Sequence, residues 1–162
     1  MREKYLLTLL FAFCSMLSWA DKGLDSLLNV LDQTIQKHET YVVQRESRIR
    51  HLNELARGVV FNSVEHYNLN NQLFKEYKSF VCDSAILYLN ENIQIAEALK
   101  DRERQVESKL LLSLLLSASG MYTESIDVLD MVKRSEVSSQ LLPEYYSCFG
   151  HVYGELGFYT QD

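Results

Sequence analysis

Two short stretches, SASGMYTESIDVL (117–129) and GELGFYTQD (154–162), share a pattern from which the fold can be predicted. Each has a small residue, two further residues, a glycine, a bulky apolar residue and then Tyr-Thr. The two Gly-x-Tyr-Thr units begin 37 residues apart, at Gly120 and Gly157. A period of this length is typical of helical repeat proteins, in which each unit is a small group of helices stacked on the next.

Apolar residues at helical spacing predict five helices after residue 59. The predicted ranges are 60–77, 80–99, 103–118, 122–134 and 141–156, and a sixth helix begins near Tyr159. The connections are only a few residues long, so consecutive helices should pack antiparallel. No hairpin turn or sustained alternation of apolar and polar residues indicates a strand. We therefore expect an all-α fold of antiparallel helix pairs stacked as a short solenoid, with an unrelated helical bundle as the alternative.

Residues 146–159 resemble a tetratricopeptide repeat, whose first helix carries a large aromatic residue, Leu-Gly and a tyrosine. The resemblance implies that Gly150 allows a close approach of the second helix, that Gly157 lies in the turn between the helices, and that Tyr159 packs back onto the pair. Lys109 and Ser113 depart from this pattern in the preceding unit. The residues expected to build the repeats are Gly120, Tyr122, Ser125, Leu129, Tyr146, Phe149, Gly150, Tyr153, Gly157 and Tyr159.

The first 20 residues differ in composition from the rest of the chain. MREK carries two positive charges, YLLTLLFAFCSML is mostly apolar, and SWA supplies small residues before Asp21. This order predicts a secretory signal peptide at 1–20, and the alternative is an uncleaved membrane anchor. The expected domains are then 1–20, a helical segment at 21–59, and tetratricopeptide-like repeats at 60–162, of which the last is incomplete.

The segment 24–59 has apolar residues in alternating steps of four and three, a heptad pattern that is typical of a helix packed along its length. His38 and Arg45 interrupt the pattern. The pattern fits one long helix or two helices with a break near His38–Tyr41. It also fits either a homodimer through 24–59 or a segment that covers the first repeat. The apolar members are Leu24, Leu28, Leu31, Ile35, Val42, Ile49, Leu52, Ala56 and Val59.

Two further stretches resemble a group of exported repeat proteins of Bacteroides-type bacteria. The first comprises Leu24-Asp25-Ser26-Leu27-Leu28, Leu31-Asp32, Tyr41 and Arg48-Ile49-x-x-Leu52, and the second is YNLNNQLFKEYKSFVCDSAILYLNENIQIAEALKD at 67–101. Proteins of that group have a signal peptide, a tetratricopeptide-like array, one membrane helix and an intracellular segment with coiled-coil and DNA-binding character, and they are treated as regulators. The resemblance implies that this chain is the N-terminal part of such a regulator, on the periplasmic side of the inner membrane.

No motif in the sequence indicates catalysis, a metal site or a cofactor. The histidines are scattered, and Cys-x-x-Cys, phosphate-loop and dinucleotide motifs are absent. Cys148 and His151 are three residues apart, but a core cysteine near a surface histidine explains this spacing better than a nucleophile and its base. The net charge of −6 argues against nucleic-acid binding by this segment. Cys82 and Cys148 are expected to be free rather than joined in a disulfide.

Stacked helix pairs present a concave groove that is lined by the first helix of each pair. The register of the resemblance places six residues there: Glu107, Ser117, Glu144, Ser147, His151 and Glu155. Half of them are acidic, so we expect a basic or amide-rich segment of a partner protein, unless the array packs only against its own continuation. The function expected is a periplasmic interaction domain of a membrane-anchored regulator. The alternatives are a free periplasmic or secreted adaptor and an accessory protein of envelope assembly.

Overall fold

The computed structural model describes residues 23–160, and these are almost entirely helical, with no strand among them. The predicted signal peptide at 1–20 and the last two residues lie outside the described part of the chain. The helices are α1 (23–36), α2 (His38–Gly58), α3 (Val64–Tyr77), α4 (Cys82–Ala98), α5 (Arg102–Ala118), α6 (Tyr122–Asp130) and α7 (Leu142–Tyr159), with a 3₁₀ helix at Arg134–Glu136. The predicted all-α fold is confirmed.

The N-terminal segment is helical on both sides of Lys37, where the helix assignment is interrupted. The amide of Lys37 donates to the carbonyl of Gln33, and the amide of Tyr41 donates to the carbonyl of Lys37, each over 3.2 Å. The i to i−4 ladder of hydrogen bonds therefore continues through the interruption. The chain divides into two compact units, one ending at Glu46 and the other beginning at Ser47.

Within the second unit, α3 packs against α4, α4 against α5, and α5 against α6, while α7 packs against both α5 and α6. Consecutive helices of this unit are joined by short connections, except that a longer stretch with the 3₁₀ helix joins α6 to α7. The helix pairs α3–α4 and α5–α6 are thus followed by α7, which corresponds to the first helix of a third pair. This is the order of elements that the tetratricopeptide pattern predicts.

The helices α5 and α6 touch at two serines that are fully buried, Ser113 and Ser125. The hydroxyl of Ser113 donates to the carbonyl of Ser125 over 2.9 Å, and the hydroxyl of Ser125 donates to the carbonyl of Ser113 over 2.8 Å. A side chain that reaches the backbone of the opposite helix requires the two helices to lie very close together. Ser113 therefore serves the close approach for which the repeat pattern normally uses glycine.

Several helix ends differ from the predicted ones, and local capping explains the start of α3. The hydroxyl of Ser63 accepts a hydrogen bond from the amide of His66, so α3 begins at Val64 rather than at residue 60. The helix α6 ends at Asp130 instead of residue 134, and the 3₁₀ helix follows. Gly120 has a φ of 78° in the connection between α5 and α6, a left-handed conformation that favours glycine.

Two predictions about the end of the chain are wrong. Gly157 does not lie in a turn, because α7 continues through it, and Tyr159 is the last residue of α7 rather than the start of a sixth helix. The close approach of a second helix at Gly150 stays a prediction: that helix would follow α7, and among residues 23–160 a Cβ atom built on Gly150 would meet nothing within 4 Å. Within the described residues α7 contacts α5 and α6 through another face, which carries the buried Tyr145 and Val152.

The N-cap of α5 leads to a prediction for stability. The carboxylate of Asp101 accepts a hydrogen bond from the amide of Arg104 over 3.1 Å and pairs with the Arg104 guanidinium, which together lower the pKa of Asp101. We expect Asp101→Ala to lower the free energy of unfolding by about 1 kcal/mol at pH 7, and Asp101→Asn to lower it less, since asparagine also caps helices. Urea unfolding of the three proteins measures this order.

The same site predicts a dependence on pH. A carboxylate whose pKa is lowered by folding stabilises the protein above its unfolded-state pKa, and this contribution is lost as the pH falls through the folded-state pKa. The difference in stability between the unmodified protein and Asp101→Asn should therefore shrink as the pH is lowered below about 4. A constant difference from pH 7 to pH 3 would contradict the role of the charge.

The serine pair predicts an order of two substitutions. Ser125→Ala removes one hydroxyl but keeps the close approach, so it should cost about 1–2 kcal/mol of unfolding free energy. Ser125→Val inserts two methyl groups where the side chain is fully buried, so it should cost more than Ser125→Ala because the helices must move apart. Thermal or urea unfolding gives both values, and an equal cost would show that the separation of α5 and α6 is not constrained here.

Candidate partner-binding surface

The six residues predicted to line a groove do not share one environment. Four of them are exposed on α7, and Glu107 is half-buried on α5. The four residues on α7 are Glu144, Ser147, His151 and Glu155. Their steps of three, four and four residues place them on one face of the helix.

The prediction for Ser117 is wrong. Its side chain is only 2% exposed, and its hydroxyl has no hydrogen-bond partner in the described part of the chain. Ser113, one turn earlier, is also buried, so both serines belong to the interior face of α5. Ser117 therefore contacts the interior and is not available to a partner.

Glu107 belongs to a polar contact between α3 and α5. The phenol of Tyr67 lies 3.3 Å from a carboxylate oxygen of Glu107, 3.2 Å from the carbonyl of Arg104 and 3.0 Å from the hydroxyl of Ser108. The Arg104 guanidinium lies 5.6 Å from the centre of the Tyr67 ring. Burial raises the pKa of the Tyr67 phenol, so the phenol stays protonated and can donate near neutral pH. The carboxylate of Glu107 is consequently held in place by its contact with the Tyr67 phenol.

A second exposed side of α7, about half a helical turn from Glu144 and Glu155, carries two tyrosines. Tyr146 and Tyr153, predicted to build the repeat, are 59% and 45% exposed. The ring of Tyr153 stacks on the half-buried Phe149 at 5.9 Å between centroids, and Nε of Arg134 donates to the phenol of Tyr146 over 3.1 Å. These contacts hold the two rings in place at the surface, where they are available to a partner. The helical spacing of these tyrosines relative to the buried Tyr145 and Cys148 would have indicated their exposure.

The remaining residues of the predicted repeat lie mainly where α5, α6 and α7 meet. Ser125 and Leu129 of α6 are fully buried, and Leu129 is in one apolar cluster with Val106, Leu110 and Val152. The ring of Tyr122 lies 5.1 Å from that of Tyr159, although Tyr159 is 67% exposed. This cluster fixes α7 against the second helix pair and so positions the exposed face of α7.

A cleft of about 580 Å³ lies elsewhere in the second unit, where the α4–α5 connection faces the segment after α6. Lys100, Arg102, Lys109 and Lys133 line it, together with acidic residues that include Glu136. Arg102 pairs with Glu136 at 2.7 Å, so the charges in the cleft partly compensate one another. None of the six predicted groove residues lines this cleft.

Cys148 and His151 do not form an activated nucleophile. The Cys148 thiol is 1% exposed, its Sγ lies 3.6 Å from the carbonyl of Leu110, and burial raises its pKa. An activated thiol needs the opposite change, a lowered pKa. His151 lies on the exposed face of α7.

In residues 23–160, no group of three or more His, Cys, Asp or Glu side chains is arranged to hold a metal ion, and no helix is long and apolar enough to cross a membrane.

Both cysteines of the described structure are free, and their environments predict different reactivities. Cys82 is half-buried at the start of α4, with its Sγ 2.9 Å from the hydroxyl of Ser119. We expect an alkylating reagent to modify Cys82 in the native protein, and to modify Cys148 only when the protein unfolds, because its thiol is buried and its pKa is raised. Peptide mass mapping after timed alkylation assigns the sites. Equal rates for the two thiols would contradict the packing of α7 on α5.

The comparisons with known proteins agree with this architecture. No curated protein sequence and no solved structure matches the chain. The family model of the SusR N-terminal TPR domain matches residues 35–162, which is most of the chain and includes all of α2 to α7. The chain therefore belongs to the family of the SusR N-terminal TPR domain.

Proposed function

We propose that this chain is a non-enzymatic protein–protein interaction domain whose α7 face binds a basic or amide-rich extended segment of a partner protein. The family supports the general role, because tetratricopeptide domains mediate interactions between proteins. The single observation that carries the specific proposal is the face formed by Glu144, Ser147, His151 and Glu155, which are all exposed on α7.

The chemistry of α7 favours a cationic partner. The helix contains two carboxylates and neither lysine nor arginine, so its exposed face carries uncompensated negative charge within α7 itself. Ser147 and His151 lie between the carboxylates and supply groups that can donate to or accept from amides.

We further propose that the domain is the periplasmic sensory or scaffold part of a membrane-anchored transcriptional or signalling regulator. The predicted signal peptide at 1–20 and the resemblance to exported regulators of Bacteroides-type bacteria support this role. A free periplasmic or secreted adaptor in envelope assembly is the second candidate, because the same predicted export signal serves both. Fractionation of cells that carry the intact gene distinguishes them, since a regulator of this kind is recovered with the inner membrane and an adaptor with the periplasm.

The binding proposal is tested with peptides rather than with an assumed partner. Selection from a random peptide library against the purified chain should enrich Lys, Arg, Asn and Gln, and fluorescence anisotropy of the selected peptides should show affinities that fall with added salt. Glu144→Lys with Glu155→Lys should weaken binding at least about tenfold, because two attractive charges become repulsive.

The matched control is Glu124→Lys with Asp127→Lys on α6. Both residues are exposed there, so the control makes the same change of net charge on another helix. Retained binding by the control and lost binding by the α7 variant support the proposal. Equal loss in both variants, or no enrichment of basic or amide residues, contradicts it and favours an array that packs only against its own continuation.

A further inference from the structure

The heptad residues of the N-terminal segment fall into a covered set and an exposed set. In the second unit, Ile49 and Leu52 are buried in a cluster with Leu69 and Leu73 of α3, and Ala56 and Val59 pack against it. The heptad residues of α1 are exposed in the first unit: Leu24 56%, Leu28 48%, Leu31 53% and Ile35 61%. Among the described residues, the heptad pattern is thus covered in the second unit, is half-buried at Val42 and is exposed in α1.

The types of residue in the exposed set favour one kind of occupant, another helix of the same kind. With Leu24 and Leu31 at position d of the heptad, position a holds Leu28, Ile35 and Val42. Leucine at d with β-branched residues at a favours parallel two-stranded coiled coils, and two of these three a residues, Ile35 and Val42, are β-branched. We propose that residues 24–42 form a parallel two-stranded coiled coil with a second copy of this chain, an interaction beyond the proposed binding of a peptide on α7.

The charges beside the apolar stripe distinguish the two possible directions of pairing. From Asp25 to Glu46 every residue at position e is acidic, whereas the residues at position g between them are uncharged. The e residues are Asp25, Asp32, Glu39 and Glu46, and the g residues are Leu27, Thr34 and Tyr41. Parallel pairing sets each e residue against an uncharged g residue of the other copy. Antiparallel pairing would set acidic residues against acidic residues, which is unfavourable.

The acidic residues also argue against other occupants of the stripe. Asp25 and Asp32 border the leucines directly, so an anionic lipid surface would be repelled. The hydrogen bonds through Lys37 keep the backbone helical across the stripe, as a coiled coil requires. His38 occupies one d position, and a single polar residue in the stripe lowers stability while it penalises other registers.

Sedimentation equilibrium of the purified chain tests the association. We expect a monomer–dimer equilibrium, and we expect Leu28→Glu with Ile35→Glu to weaken it at least about tenfold, because charged residues would enter the apolar stripe. The matched control is Val30→Glu with Val43→Glu, two residues that are 58% and 64% exposed and lie outside positions a and d. The control should dimerise like the unmodified protein.

Both double variants should keep the far-ultraviolet circular dichroism and the thermal midpoint of the unmodified repeat unit, since they change only exposed residues of α1 and α2. A chain that is monomeric at all concentrations overturns the proposal. This outcome would also be found if α1 bound a basic helix of another protein instead of a second copy. Dimerisation that survives Leu28→Glu with Ile35→Glu, or that is lost equally in the control, also overturns it.

Oxidative cross-linking tests the direction of pairing in a chain that carries Cys14→Ser and Cys82→Ser. Leu24→Cys lies at one end of the stripe and Val42→Cys at the other. In parallel pairing each new cysteine faces its own copy, so each single variant should form a disulfide-linked dimer. Cross-linking only in a mixture of the two variants, with none in either alone, would show antiparallel pairing and overturn the proposal.

Discussion

The reciprocal hydrogen bonds between Ser113 and Ser125 are the contact on which the rest of the repeat unit depends. Each hydroxyl donates to the backbone carbonyl of the other helix, and this is possible only when both residues are small and the helices lie close together. The helix α5 is also the one that contacts α4, α6 and α7. The separation of α5 and α6 therefore determines where Leu129 and Val152 meet, and hence where α7 presents its exposed face.

Much of this architecture could be predicted from periodicity, because helices of this length have a clear apolar face. The order of the helices and the turn at Gly120 can be predicted from the spacing of residues in the sequence alone. The role of Ser113 could not be predicted, because the repeat pattern records only a missing glycine there. The hydroxyl of Ser113 makes a hydrogen bond to the facing backbone and is still small enough to permit the close contact. This arrangement depends on Ser125, twelve residues later in the sequence.

The candidate site was predicted less well, for a reason that particular residues make clear. Register taken from a family pattern assigned Ser117 to the groove, although it lies one helical turn after the buried Ser113 and is itself buried. The same register made Tyr146 a packing residue, although it is 59% exposed. Glycines near the end of a helix suggested a turn at Gly157, but the backbone ladder of α7 passes through it. Helical geometry within each element was the better guide to exposure, and family register the better guide to the order of elements.

The hydrogen bonds of Tyr67 have a consequence for cooperativity. In a stack of repeats each helix pair contacts only the adjacent pairs, so its stability depends on the contacts between pairs. The phenol of Tyr67 on α3 reaches across to Arg104 and Ser108 on α5, 37 and 41 residues away. This connection makes α3 a structural support for α5 in addition to α4. The loss of the first helix pair would therefore also remove hydrogen bonds from α5, so the opening of the first pair should weaken the second.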